Sequence, residues 1–182
     1  GPLASSASPI VIYDRYAGQQ VARRYVHDLP HGDGLSWFLE RVSMTPGRKV
    51  RVITAVTNER TKTGGRFDEQ VMSLGFGRMV QHIGRDLRLE LVLVPDRVRD
   101  QGRVERFGHD RHIRFGNRAV LALGTGLQAF TKGHFEETIT VARLPVADAK
   151  AREERAIKGA VRPPREGWLG WVKDADARMP LA

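Results

Sequence analysis

Short apolar runs alternate along the chain with longer segments in which apolar residues recur every three or four positions. "PIVIY" (9–13) is β-branched and aromatic behind a proline and predicts a first strand. "DRYAGQQVARRYV" reads as a polar junction running into a helix-like segment, and "HDLPHGDG" (27–34) as a loop. In "LSWFLERVSM" (35–44), Leu35, Phe38, Leu39 and Val42 fall on one face of an amphipathic helix that Thr45-Pro46-Gly47 stops. "RKVRVITAVTN" (48–58) predicts a buried strand, and "ERTKTGGR" (59–66) a polar loop. "FDEQVMSLGFGRMVQHIGR" (67–85) predicts a helix weakened in its middle by Gly75 and Gly77. "LRLELVLVP" (87–95) is a strand, and "DRVRDQGRVERFG" a charged connection. "HDRHIRFG" (109–116) and "AVLALG" (119–124) form a hairpin around Gly116-Asn117-Arg118, with a short helix at 126–131 and a last strand in "ETITVARLP" (137–145).

The order β-α-β-α-β-β-β implies parallel pairing at the start and an antiparallel part at the hairpin. The expected fold class is therefore α/β, a mixed β-sheet flanked by helices over residues 9–145. Residues 1–8 read as the scar of a cleaved tag and a linker. Residues 146–182 read as a charged, Ala-rich helix followed by a tail carrying Trp168 and Trp171, three apart. That pair either packs back on the domain or on another copy, or docks a protein partner by its two indoles.

Composition narrows the chemistry. The 182 residues hold no cysteine, so thiolate metal sites, disulfides and thiol nucleophiles are excluded. No run approaches the roughly 20 apolar residues of a membrane span. No signal peptide is expected, and a reducing cytoplasmic setting follows, with peripheral membrane association open. Net charge is +9, and arginine dominates the excess. Such a balance favours anionic partners, and the planar guanidinium suits bidentate phosphate contacts.

The most informative stretch is "HDRHIRFGNRAVLALGTG" (109–126). On a strand, His109 and Arg111 share a face with Ile113 and Phe115, while Asp110, His112 and Arg114 share the other. A face that begins polar and becomes apolar suits a strand entering the core from a cleft. There a guanidinium can hold a phosphate oxygen, and an imidazole can attack phosphorus or protonate a leaving oxygen. A polar strand end with satisfied hydrogen bonds is the plainer alternative. His27 and His31 with Asp28 and Asp33 suggest a solvated loop rather than a metal site. His82 reads as structural, and His134 lies near Glu136 and Glu137 before the last strand. No cofactor and no metal are expected.

The strand, turn, strand and Gly124-Thr125-Gly126 resemble the phospholipase D superfamily, whose pattern is His-x-Lys, four residues, then Asp. His109 takes the histidine place, Arg111 the lysine place, and Gly116 stands where the aspartate belongs. A wider resemblance covers residues 10–144. "IVIYDRYA", "LSWFLERV", "RVITAVT", "HDRHIRFGN", "GTGLQAF" and "ETITV" follow the order of the C-terminal phospholipase D-like domain of MIT-domain-containing, ESCRT-III-associated proteins. Arginine, alanine and glycine usage points to a bacterial relative. The resemblance implies a dimeric phospholipase D-like fold that binds acidic phospholipids without established catalysis.

Three functions are compatible with these residues. The first is a non-catalytic homodimer binding acidic membrane phospholipid or another phosphorylated ligand, nucleic acid included, through His109, Arg111 and Arg114. Arg15, Arg23, Arg24, Arg48, Lys49 and Arg51 would support it. The second is a phosphodiesterase or nuclease using His109 and Arg111 across a dimer, with Asp110 or Glu137 replacing the missing aspartate. The third is an adaptor that recruits a protein through Trp168 and Trp171.

Overall fold

The computed structural model describes residues 9–29, 34–45, 49–57, 65–83, 88–100, 103–108, 111–124, 126–130 and 141–158. The fold is α/β, built on a mixed sheet of six strands with four helices. The strands are β1 (Ile10–Tyr13), β2 (Lys49–Val56), β3 (Arg88–Pro95), β6 (His112–Phe115), β7 (Ala119–Leu123) and β8 (Val141–Arg143), in spatial order β3-β2-β1-β6-β7-β8. β1, β2 and β3 run parallel, and β6, β7 and β8 continue the sheet antiparallel on the other side of β1. The chain therefore leaves β1 toward one side and returns on the other, which makes β1 the switch point of the sheet.

The expected elements recur with trimmed ends. They include helices α1 (Ala17–Tyr25), α2 (Gly34–Ser43) and α3 (Glu69–Ile83), and a 3-10 helix at Gly126–Phe130. The charged connection after β3 is itself structured. It forms a hairpin of β4 (Arg97–Asp100) and β5 (Arg103–Arg106) that pairs Arg97 with Arg106. Alternating charge and valine had masked it as a loop.

The two faces of the sheet are filled differently. Ile10, Ile12, Val50, Val52, Leu89, Leu91, Ile113 and Phe115 point into the main core with α1, α2, α3 and Leu127. Val11, Tyr13, Ile53, Ala55, Val92 and Val94 point to the opposite face, where Phe107 and Ala156 cover them. β2 and β3 are thus buried on both sides, as their near-continuous apolar runs require.

Helix α4 (Val146–Lys158) packs on that second face through Ala149, Glu153 and Ala156. The charged helix expected after residue 145 thus lies against the sheet. Its anchoring positions recur at i, i+4 and i+7, and one of them is a glutamate, so its helical periodicity carried too little apolar signal.

Helices α1 and α3 approach closely where both are small. A Cβ at Gly75 would lie 3.2 Å from the Cα of Ala22, whereas one at Gly77 would meet nothing within 4 Å. Gly75→Ala is expected to cost about 1–2 kcal/mol, because backbone cannot yield. Gly77→Ala is expected to stabilise by about 0.5–1 kcal/mol through helix propensity. Urea unfolding of both variants measures the contrast, and equal effects would contradict this packing.

Candidate functional site

The carboxyl end of β1 carries Asp14, Arg15 and Tyr16 in the short passage to α1. Backbone pairing extends past the strand: Asp14 N–H donates to Ile53 O at 3.1 Å and Ala55 N–H to Arg15 O at 3.3 Å. Thr54 fastens the start of α1, accepting from Gly18 N–H at 2.9 Å and donating to Arg15 O at 3.2 Å. The edge is therefore held rigidly before any functional side chain is considered.

Asp14 is 2% exposed. Its Oδ1 accepts from Tyr16 N–H at 2.9 Å and its Oδ2 from Leu127 N–H at 3.1 Å. The carboxylate thus joins β1 to the 3-10 helix across 113 residues. Burial raises its pKa above the ordinary aspartate value, against the pull of those N–H donors and of Arg111.

Arg111 enters this edge just ahead of β6. Its Nε lies 3.9 Å from Asp14 Oδ1, and its guanidinium sits 5.0 Å from the centre of the Tyr16 ring. Arg15 lies 5.6 Å from the same ring. Gly126 (φ +68°) closes the arrangement: a Cβ there would come within 2.6 Å of Asp14 Oδ2 and would collide with Arg111. The glycine that ends Gly124-Thr125-Gly126 is what lets the arginine and the buried carboxylate share one space.

The other predicted cations are placed elsewhere. Arg114 is 6% exposed and turns away from this edge toward α4. Its Nε donates to both oxygens of Glu153, its Nη2 to Glu153 Oε2 at 2.6 Å, and its Nη1 to Gly116 O at 2.6 Å. Its fork is thus engaged inside the protein, on Glu153 and Gly116. His112 shares that carboxylate, its Nε2 3.0 Å from Glu153 Oε1, and its ring stacks on Tyr13. Arg15 is likewise engaged. It is 7% exposed, donates to Phe107 O at 2.9 Å and pairs with Asp96 at 2.5 Å, clamping the base of the β4–β5 hairpin.

Arg51 pairs with Glu90 at 2.7 Å across β2 and β3, on the face that α4 covers. It and the exposed Lys49 lie at the amino end of β2, opposite the edge that holds Arg111. Arg23 and Arg24 stand in the last turn of α1, over the rings of Phe67 and Tyr25. The structure does not gather these residues with Arg111 into one basic cluster. His109, Arg48, Trp168 and Trp171 lie outside the described residues, as do Asp110, His31, Asp33, His134, Glu136 and Glu137.

Gly116 stands in the turn between β6 and β7, with its N–H on Pro9 O at 3.0 Å. Asp14, Tyr16 and Glu153 were not singled out from the sequence. For Asp14 and Tyr16 the available signal was a polar triplet directly behind a fully buried strand. For Glu153 it was a carboxylate at the core-facing position between Ala149 and Ala156. Among the described residues no group of three potential ligands could hold a metal ion.

No protein-family model, no curated protein and no solved structure matches the chain.

Burial alone would raise the Glu153 carboxyl, but the hydrogen bonds and charge of His112 and Arg114 outweigh it and hold the group below the ordinary glutamate range. A depressed folded-state pKa contributes stability that is complete above the unfolded value and is lost as pH falls through the folded one. Glu153→Gln is therefore expected to flatten the loss of stability between neutral pH and about pH 3. Glu153→Ala, which strands a buried guanidinium, is expected to cost about 3 kcal/mol at pH 7. Denaturant unfolding across pH reads both, and an unchanged pH slope in Glu153→Gln would refute the assignment.

Proposed function

We propose that the chain is a non-catalytic, phospholipase D-like module that binds anionic, phosphate-bearing ligands, acidic membrane phospholipids foremost. One observation carries this reading. Arg15, Arg51 and Arg114 are each committed to a carboxylate at 2.7 Å or less, whereas among the described residues the nearest carboxylate oxygen to Arg111 stands at 3.9 Å. Among the described residues, Arg111 Nε has no hydrogen-bond partner. That nitrogen is buried, so a phosphate oxygen would pair with the part of the Arg111 side chain that remains exposed, 17% of it.

Its position supports the same reading. Ligands of open α/β sheets sit beyond the carboxyl ends of the strands, where the strand order reverses. Arg111 stands at that end of β1, with parallel β2 on one side and antiparallel β6 on the other. Its guanidinium is oriented from behind by Asp14 and Tyr16, so little order must be imposed on binding. The net charge of +9 adds long-range attraction to an anionic surface. Binding is favoured over turnover because Asp14, the carboxylate beside Arg111, is buried with both oxygens on backbone N–H groups. It is poorly available as a base or nucleophile. No helix among the described residues is long and apolar enough to cross a membrane. Contact with a bilayer in this reading is peripheral.

The chain is expected to co-sediment with phosphatidylserine-containing vesicles and not with phosphatidylcholine alone, and to dissociate as salt rises through the physiological range. Arg111→Ala is expected to weaken that binding about fivefold, the contribution of one cation near an anionic surface. Lys49→Ala, at the opposite end of the sheet, is expected to change it less. Equal binding by wild type and Arg111→Ala would overturn the assignment of this residue, and no binding to anionic vesicles would overturn the lipid reading.

A further inference from the structure

Four exposed cations gather at the end of the sheet opposite Arg111. Lys49 and Arg88 are the first residues of β2 and β3 and lie side by side in register. Arg24 of α1 and Arg78 of α3 stand in the helix layer toward the same end. α1 starts beside Thr54, near the carboxyl end of β2, and α3 ends at Ile83, five residues before β3 begins. Tyr25, the last residue of α1, meets His82 in the last turn of α3, with the rings 5.9 Å apart. Both helices therefore run toward the amino ends of the strands.

Tyr25 gathers the two arginines. Its carbonyl oxygen accepts from Arg78 Nη1 at 2.9 Å, and its ring lies 5.3 Å from the Arg24 guanidinium. Its hydroxyl is fixed by a 2.9 Å hydrogen bond to Oγ of the buried Ser36. Among the described residues none of the four cations forms an ion pair, whereas Glu90, two residues along from Arg88, is held by Arg51. The exposed Asp28, just behind α1, offsets one of the four.

We infer that this amino edge is a second anion-binding surface, and that the chain joins two acidic bilayers, one at each end of the sheet. The inference rests on the lipid reading of Arg111 and extends it. Along β2, Lys49 is five residues from Thr54, which bonds to the passage carrying Asp14 and Arg15, a distance of about 17 Å. Charges in water are screened over about 8 Å at physiological salt. A bilayer held at the Arg111 edge therefore does not neutralise the amino edge, which stays open to a second surface. The four cations sit on strand ends and along two helices, and a plane of charge engages such a spread at once. The two edges differ in kind. Arg111 is oriented by Asp14 and Tyr16, whereas the amino edge attracts by charge, worth about fivefold in affinity per cation. Binding at the first edge concentrates the second against a neighbouring bilayer, so the looser edge is enough to join the two.

Dynamic light scattering and co-sedimentation of phosphatidylserine-containing vesicles with the full chain test it together. Wild type is expected to bind the vesicles and to cluster them, and the clusters to disperse as salt rises. Lys49→Ala/Arg88→Ala is expected to raise the protein concentration needed for clustering roughly twentyfold. Adding Arg24→Ala and Arg78→Ala is expected to abolish clustering while binding through Arg111 persists. A general loss of charge would lower binding and clustering in parallel, so the split between the two readouts is the decisive result. Lys49→Arg/Arg88→Lys keeps the charge and is expected to cluster vesicles as wild type does, and thermal melting confirms that each variant is folded. Vesicles bound but not clustered by wild type, clustering undiminished in the fourfold variant, or binding and clustering lost in parallel would overturn the inference. No binding by wild type would overturn the lipid reading beneath it as well.

Discussion

The geometry of the candidate edge depends on one buried carboxylate. Asp14 caps the end of β1, accepts the Tyr16 N–H that leads into α1, and accepts the Leu127 N–H of the 3-10 helix. The passage from β1 into α1 and a 3-10 helix 113 residues further along are thereby fixed around one pair of oxygens. Arg111 and Gly126 fit into the remaining space, and the glycine is required because any side chain would displace either the arginine or the carboxylate. The raised pKa of Asp14 reflects the desolvation that this arrangement imposes.

The arginines sort by environment rather than by number. Arg114 and His112 share Glu153 beneath α4, and Arg15 holds the base of the β4–β5 hairpin through Asp96 and Phe107. A guanidinium buried without a partner would be costly, so each buried one is matched by a carboxylate or carbonyl. Arg111 is the looser case, half-buried with a long ion pair, and on this the proposal of an external anion rests. The helix that covers the second face is held by a charge cluster and small residues rather than by a large apolar seam. That makes Glu153 as important to the sheet as the apolar residues around it.

Much of this organisation was legible in the residue pattern. Period-two alternation and continuous apolar runs marked all six strands of the main sheet, and recurring apolar positions marked α2 and α3, because burial of one face is a local periodic property. The face assignment on β6 was also legible, since Ile113 and Phe115 enter the main core and Arg114 points the other way. The β4–β5 hairpin was not, because Arg, Val, Asp and Glu in alternation look the same in a loop and in a strand.

By itself the sequence determined the α/β class, the order of elements in the main sheet, and the apolar side of β6, all of which follow from short-range spacing. Only the tertiary structure decided what each charged residue does. Arg111 and Arg114 are three positions apart and chemically identical, yet one lies at the carboxyl edge of β1 and the other is locked to a glutamate 39 residues away. The partners that separate them, Asp14 and Glu153, come from opposite ends of the chain. Long-range pairing of buried charges has no periodic signature, so the fold alone chooses which cations are locked in ion pairs.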